Sequence, residues 1–229
     1  MAELRIPAAQ SSQVAVAQHK VLRNTYMLLA LSMVPTMIGA MIGINMQVSF
    51  MATNPIMGGL LFLAGAFGFF YAIEKTKNSG LGVALLLAFT FFMGLWLSQI
   101  LQVALSFGNG GQIIGLAAGG TAAIFFTLAG IATVTRRDFS FMGNFLTIGA
   151  VLFLIAIVAN LFFQVPAVSL TISAVAVLLF SGFILYDVSR IIHGGETNYI
   201  SATLGLYLSI YNLFVSLLHL LLAFTGQRE

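Results

Sequence analysis

The sequence predicts an all-α integral membrane protein with seven transmembrane helices. Of its 229 residues, 60% are apolar and only 7% are charged, whereas soluble domains average about 45–50% apolar and ~25% charged residues. So few charged side chains cannot coat a soluble core of this size. The apolar residues form seven long segments, and the basic residues fall in alternate connections between them.

Each apolar segment can cross the ~30 Å hydrocarbon layer as a helix that rises ~1.5 Å per residue. In chain order the predicted spans are Tyr26–Met46, Ile56–Ile73, Leu81–Leu101, Ile113–Val134, Met142–Phe163, Ala167–Tyr186 and Ala202–Phe224. Pro35 is expected to kink the first span, because proline leaves a helix carbonyl without its N–H partner. The sequence thus predicts a membrane domain over residues 26–224, preceded by an unstructured tail over residues 1–25.

The basic residues predict the orientation of the bundle. Eight of the nine fall on one side of the membrane: Arg5, Lys20, Arg23, Lys75, Lys77, Arg136, Arg137 and Arg190. Arg228 alone falls on the other side. Because basic residues accumulate on the cytoplasmic side of membrane proteins, residues 1–25 are predicted to be cytoplasmic and residues 225–229 to form a short external tail.

The composition also predicts which functions are absent. The chain has no cysteine, which excludes disulfides, thiolate metal sites and a cysteine nucleophile. No Ser-His-Asp, HExxH or paired-carboxylate pattern is evident, so we expect no enzyme activity, no cofactor and no resident metal. The net charge of +3 reflects membrane topology, so nucleic acid is not an expected partner, whereas membrane lipid is.

Small and polar residues form stripes on several predicted spans. On span seven the stripe recurs at spacings of three and four residues: Ala202, Gly205, Ser209, Asn212, Ser216 and His219. This spacing places the stripe on one helix face, where it indicates either close helix packing or a water-lined path. Gly39 and Gly43 on span one form a GxxxG step, which favours helix packing.

Asp187 stands apart from the other acidic residues because it ends an uninterrupted apolar span. It lies one helical turn before Arg190. One interpretation is an interfacial ion pair between these two residues. The other is a carboxylate whose charge responds to pH, because a carboxylate near hydrocarbon either pairs with a cation or takes up a proton. His219 is expected to be a hydrogen-bonded packing residue.

Several segments resemble a known family. Residues 186–191 (Tyr-Asp-Val-Ser-Arg-Ile) and 206–218 resemble the last two helices of the Bax-inhibitor family of seven-span proteins. Residues 19–26, 135–143 and 192–200 are similar to its YccA-like bacterial branch, most specifically through the His-Gly-Gly-Glu-Thr-Asn run that begins at His193.

The resemblance implies a last helix at the centre of the bundle and a location in the bacterial cytoplasmic (inner) membrane. It also implies two functions. The YccA-like branch is associated with the membrane-anchored AAA protease FtsH, as a partner that modulates its action. Other family members are viewed as pH-sensitive calcium leak channels, in which aspartates on helices six and seven share a proton.

By position the sixth-helix aspartate is Asp187, whereas Ser209 stands where the family has the second one. The incomplete pair favours the protease modulator. The alternative is a calcium leak gated at Asp187, with calcium as the permeant ion. Its predicted gating and pathway residues are Asp187, Arg190, Ser209, Asn212 and His219.

Overall fold

The computed structural model describes residues 8–46, 55–135 and 137–226. Over these residues the chain is helical and has no strand: α1 (Ala8–Asn45), α2 (Pro55–Thr76), α3 (Gly80–Leu105), α4 (Gly110–Thr135), a short 3₁₀ turn (Ser140–Met142), α5 (Gly143–Phe163), α6 (Pro166–Ile192) and α7 (Tyr199–Gly226). All seven α-helices are long and apolar enough to cross a membrane. The predicted fold class is therefore confirmed, while the orientation of the termini stays a prediction.

The first helix is longer than its predicted span. α1 begins at Ala8, so the expectation of an unstructured tail is wrong from that residue onward; residues 1–7 lie outside the described part. Once the span has formed, adding further turns requires no new nucleation, and the segment that precedes it is rich in alanine and glutamine, which favour helix. The helix also continues through Pro35.

The last helix lies at the centre of the bundle. α7 packs against α1, α3, α4 and α6, whereas α2 packs mainly on α3 and α5 mainly on α6. Five large side chains of α7 are fully buried: Ile200, Leu206, Tyr207, Leu213 and Leu218. The central position implied by the family resemblance is therefore observed.

α1 and α3 approach each other closely through glycine. A Cβ atom added to Gly39 would overlap the backbone carbonyl of Phe91, and one added to Gly94 would overlap that of Thr36. One added to Gly43 would overlap the side chain of Ser98. The GxxxG step of span one is thus a packing motif, as the sequence predicts.

α4 has a glycine-rich face that packs against nothing else in the described chain. Cβ atoms added to Gly111, Gly115, Gly119 and Gly130 would meet no atom within 4 Å. Leu116 and Phe126 on the same helix are 65% and 71% exposed. The outward side of α4 is therefore open, unlike the interface between α1 and α3.

All charged residues of the described part lie at one end of the bundle, which we call the basic end. They are Lys20, Arg23, Glu74, Lys75, Lys77, Arg137, Asp138, Asp187, Arg190 and Glu196. Hydrogen bonds made by the connections hold this end together: Asn198 Nδ2 donates to the carbonyl of Lys77 at 3.0 Å, and the N–H of Phe139 donates to Ser189 Oγ of α6 at 2.9 Å. The predicted clustering of charge on one side is thus seen within the described residues.

Candidate functional site

Asp187 lies near the end of α6, where its carboxylate faces the backbone of α7. The residue opposite is Gly205: a Cβ atom added there would lie 3.2 Å from Oδ2 of Asp187. The glycine therefore makes room for a partly buried carboxylate between two tightly packed helices. Any larger residue at position 205 would press on the carboxylate.

Arg190 does not pair with Asp187. Its Nη2 lies 3.3 Å from Glu196 Oε2 and donates to the carbonyl of Gly195 at 3.2 Å. The guanidinium also lies over the ring of Tyr186, 5.4 Å from the ring centroid. The interfacial ion pair considered from the sequence is therefore absent between these two residues, because the connection that follows α6 supplies a different carboxylate.

Ser209 and Asn212 lie on the predicted stripe of α7, but their polar atoms are used within that helix. Ser209 Oγ donates to the carbonyl of Gly205 at 3.0 Å, and Asn212 Nδ2 donates to the carbonyl of Leu208 at 2.8 Å. No hydrogen bond joins Ser209 to Asp187. The residue that meets Asp187 is Gly205, one helical turn before Ser209.

His219 lies far from this group. It comes fourteen residues after Gly205 in α7, a rise of about 21 Å. Its Nδ1 lies 2.8 Å from Ser173 Oγ of α6, so it is hydrogen-bonded between helices, as expected. The five predicted residues therefore do not form a single site: Asp187 and Arg190 lie at the basic end, Ser209 and Asn212 further along α7, and His219 near the opposite end.

Sequence reasoning missed two residues that organise the basic end. Glu196 is the partner of Arg190. Ser189 accepts from the N–H of Phe139 and donates to the carbonyl of Arg137 at 3.3 Å, which joins the end of α6 to the connection before α5. Both lie in segments that carry the family resemblance, which was the available signal.

The connection between α4 and α5 contains an exposed carboxylate outside the spans. The N–H of Ser140 donates to Asp138 Oδ1 at 2.8 Å. Hydrogen bonding by Ser140, first through its side chain and then through its backbone, lowers the pKa of Asp138 below its ordinary value of 3.8. Asp138 therefore stabilises the turn before α5 in its ionised form.

The described residues offer no cluster of donors for a metal. Across residues 8–46, 55–135 and 137–226, no three His, Cys, Asp or Glu side chains are grouped so that they could hold a metal ion. Calcium prefers six to eight oxygen ligands. Asp187 therefore belongs to no such cluster among these residues, and the prediction that it gates an ion pathway stays a prediction.

Comparison with known proteins gives a match along nearly the whole chain. The family described as "Inhibitor of apoptosis-promoting Bax1" (Bax1-I) matches residues 18–226. The protein named "Modulator of FtsH protease YccA" from Escherichia coli K12 is 47% identical over 206 residues, which cover 90% of this chain and 91% of the relative. An "Inner membrane protein YccA" from E. coli O6:H1 has the same identity and coverage. An uncharacterized protein of Neisseria meningitidis serogroup A is 44% identical over 214 residues, 93% of this chain and 94% of the relative.

Proposed function

Because the chain belongs to the Bax inhibitor family, we propose that it modulates a membrane-anchored AAA protease of the FtsH type. The observation that carries this proposal is the similarity, over almost the full length of both chains, to the E. coli protein named as a modulator of FtsH protease. The proposal concerns an interaction between two membrane proteins and requires no chemistry from this chain.

The location of the chain is consistent with that role. It is a multi-pass protein of the bacterial inner membrane, with seven helices able to span the bilayer and a close relative named for that membrane. A protease anchored in the same membrane can therefore meet it laterally as well as through the connections at its basic end.

The basic end supports the proposal because it offers an ordered polar surface. Lys20, Arg23, Lys75 and Arg137 are exposed there. α1 begins at Ala8, whereas the apolar segment of the sequence begins at Tyr26, so a helical extension of about 27 Å precedes that segment. We propose that this extension and the exposed basic residues contact the protease.

The contacts of the α7 stripe give no comparable support to the calcium leak. Ser209 and Asn212 donate to carbonyls of their own helix, and His219 bonds to Ser173 of α6. These contacts favour helix packing, the first of the two interpretations of the stripe. We therefore propose the role of protease modulator alone.

Degradation assays in proteoliposomes test the proposal. An FtsH-type protease, a membrane-protein substrate and the full chain are reconstituted together, and ATP-dependent loss of substrate is followed with and without the chain. We expect the chain to change the rate, and we expect a triple variant Lys20→Ala, Arg23→Ala, Lys75→Ala to lose that effect. Ser106→Ala, an exposed change at the opposite end of the bundle, is the matched control and should act as wild type.

Two results together would overturn the proposal. They are a degradation rate unaffected by the wild-type chain and failure of the protease to co-purify with the tagged chain from native membranes in mild detergent.

A further inference from the structure

A cavity of about 420 Å³ lies at the end of the bundle opposite the basic end. It is bounded by the end of α5, the start of α6 and the last turns of α7. Leu161 and Leu170 give it apolar walls, while Asn160, Gln164 and His219 give it polar ones. None of the residues discussed at the basic end belongs to it, so it is a separate feature.

The cavity lies at the depth of lipid headgroups. His219 comes twenty residues after Tyr199, where α7 begins, which corresponds to a rise of about 30 Å. This distance equals the ~30 Å thickness of the hydrocarbon layer. Phe162 and Phe163 beside the cavity are 59% and 76% exposed, so the adjoining surface of α5 is open to lipid.

Hydrogen bonding fixes the tautomer of His219. The single hydroxyl hydrogen of Ser173 is donated to the carbonyl of Ser169 at 2.9 Å. Ser173 Oγ must then accept from Nδ1 of His219, 2.8 Å away. A neutral imidazole carries one N–H, so Nε2 of His219 is a hydrogen-bond acceptor.

The neighbouring polar groups already donate hydrogen bonds within the protein. Asn160 Nδ2 donates to Ser169 Oγ at 2.7 Å, and Ser169 Oγ donates to the carbonyl of Val165 at 3.4 Å. Gln164 Nε2 donates to the carbonyl of Leu161, also at 3.4 Å. Nε2 of His219 and Oε1 of Gln164 have no partner in the described part of the chain, so a ligand that supplies hydrogen-bond donors can satisfy both acceptors.

We propose that this cavity binds the primary-ammonium headgroup of a zwitterionic phospholipid, of which phosphatidylethanolamine is the simplest. The ammonium group donates to His219 Nε2 and Gln164 Oε1, and the apolar walls accept the adjoining part of the lipid. No charged side chain of the described residues lies at this end, so none of the described residues provides a basic group that would favour an anionic lipid. Hydrogen bonding therefore decides its selectivity.

Native mass spectrometry of the purified full chain tests this proposal with three lipids. Phosphatidylcholine matches phosphatidylethanolamine in net charge but has a quaternary ammonium without N–H donors, and phosphatidylglycerol is anionic. We expect phosphatidylethanolamine to bind about tenfold more tightly than phosphatidylcholine, since a hydrogen bond from a charged donor has that order of effect.

Two variants test whether the preference for phosphatidylethanolamine arises in this cavity. His219→Leu removes the acceptor, and Ala223→Phe fills the cavity, which Ala223 lines, without removing the bond between His219 and Ser173. Both should lower the affinity for phosphatidylethanolamine to that for phosphatidylcholine, while the control Ser106→Ala should not. Equal binding of these two lipids by wild type, preference for phosphatidylglycerol, or wild-type binding by Ala223→Phe would each overturn the proposal.

Discussion

The interface between α1 and α3 and the outward face of α4 contain similar glycine patterns in very different surroundings. At the first, Gly39 and Gly94 lie against backbone carbonyls of the opposite helix. At the second, Gly115 and Gly119 have the same four-residue spacing as Gly39 and Gly43 of α1, yet an added Cβ atom would meet nothing within 4 Å. A small-residue motif therefore shows where helices could approach closely, and only the packed structure shows where they do.

Gly205 is intermediate between these two cases. Its neighbour is a carboxylate side chain, Asp187, and not a backbone. A side chain can move by a few tenths of an ångström, whereas a packed helix backbone moves only together with its helix. The three kinds of glycine should therefore respond to substitution in a graded way.

The largest effect is expected for Gly94→Leu. The new side chain would overlap the carbonyl of Thr36, so α1 and α3 must separate. We expect a loss of about 3 kcal/mol or more in the free energy of unfolding, at the upper end of overpacking costs. Thermal unfolding in detergent measures the change.

The matched change on the open face is Gly119→Leu. Because nothing faces Gly119 and leucine favours helix more than glycine does, stability should be unchanged or raised by up to about 1 kcal/mol. Equal losses for Gly94→Leu and Gly119→Leu would show that the two faces are packed alike and would contradict the comparison.

A smaller effect is expected for Gly205→Ala. The added methyl would lie 3.2 Å from Asp187 Oδ2 and so displace the carboxylate slightly, which should make this variant about 1–2 kcal/mol less stable than a glycine-to-alanine variant without such a contact. Gly120→Ala is the control, since its Cβ would make an ordinary contact of 3.5 Å with Leu217. If Asp187 causes the loss, the second substitution Asp187→Ala should recover most of it; an unchanged loss in the double variant would count against this contact.

Tyr207→Phe should have an effect near 1 kcal/mol. The buried hydroxyl of Tyr207 bonds to Thr36 Oγ1 at 2.9 Å and lies 3.5 Å from the carbonyl of Thr90, so it joins α7 to both helices of the close interface. Tyr71→Phe, at a residue 71% exposed, should leave the unfolding temperature unchanged. A similar shift for both variants would mean that the hydroxyl of Tyr207 does not connect the helices.

The smallest effect is expected at the exposed turn before α5. The pKa of Asp138 is below 3.8 in the folded chain, so its stabilising contribution is present above that value and is lost as the pH falls through the lower folded pKa. Wild type and Asp138→Asn should therefore differ by a small amount between about pH 5 and pH 8, and the difference should shrink below about pH 4. A difference that persists unchanged as the pH falls well below about 4 would contradict this assignment. Circular dichroism melts across this range provide the measurement.

The sequence was sufficient for the number and order of the helices because hydrocarbon selects apolar segments of fixed length. It was insufficient for their ends. Hydropathy marks where a helix leaves the hydrocarbon, whereas local helix propensity decides how far the helix continues beyond it. The alanine- and glutamine-rich segment before span one extends α1 to Ala8 for that reason. The Gly39 and Gly43 step was predicted correctly as packing, since its pattern is local to one helix.

The candidate site was predictable only in part. Periodicity placed Gly205 and Ser209 on one face of α7, but periodicity contains no information on the register between α6 and α7. That register places Gly205 opposite Asp187. The partner of Arg190 was missed because Glu196 follows a glycine turn, in which Gly194 has φ +77°. Such a turn brings the chain back towards α6, and no regular residue spacing predicts which side chains then meet.

The close contact of α1 with α3 also determines how the molecule resists mechanical force. Tension applied to the N-terminus acts along the axis of α1 and loads this contact in shear. Gly39 and Gly94 bring the backbones of α1 and α3 into close contact. For α1 to slide along α3, the two helices must either separate or move their backbone carbonyls past each other. Among the described helices, α1 and α3 share the most extensive contact, and this contact is loaded first when a protease pulls on the N-terminus. Extraction from that end should therefore begin more slowly than extraction from the C-terminus.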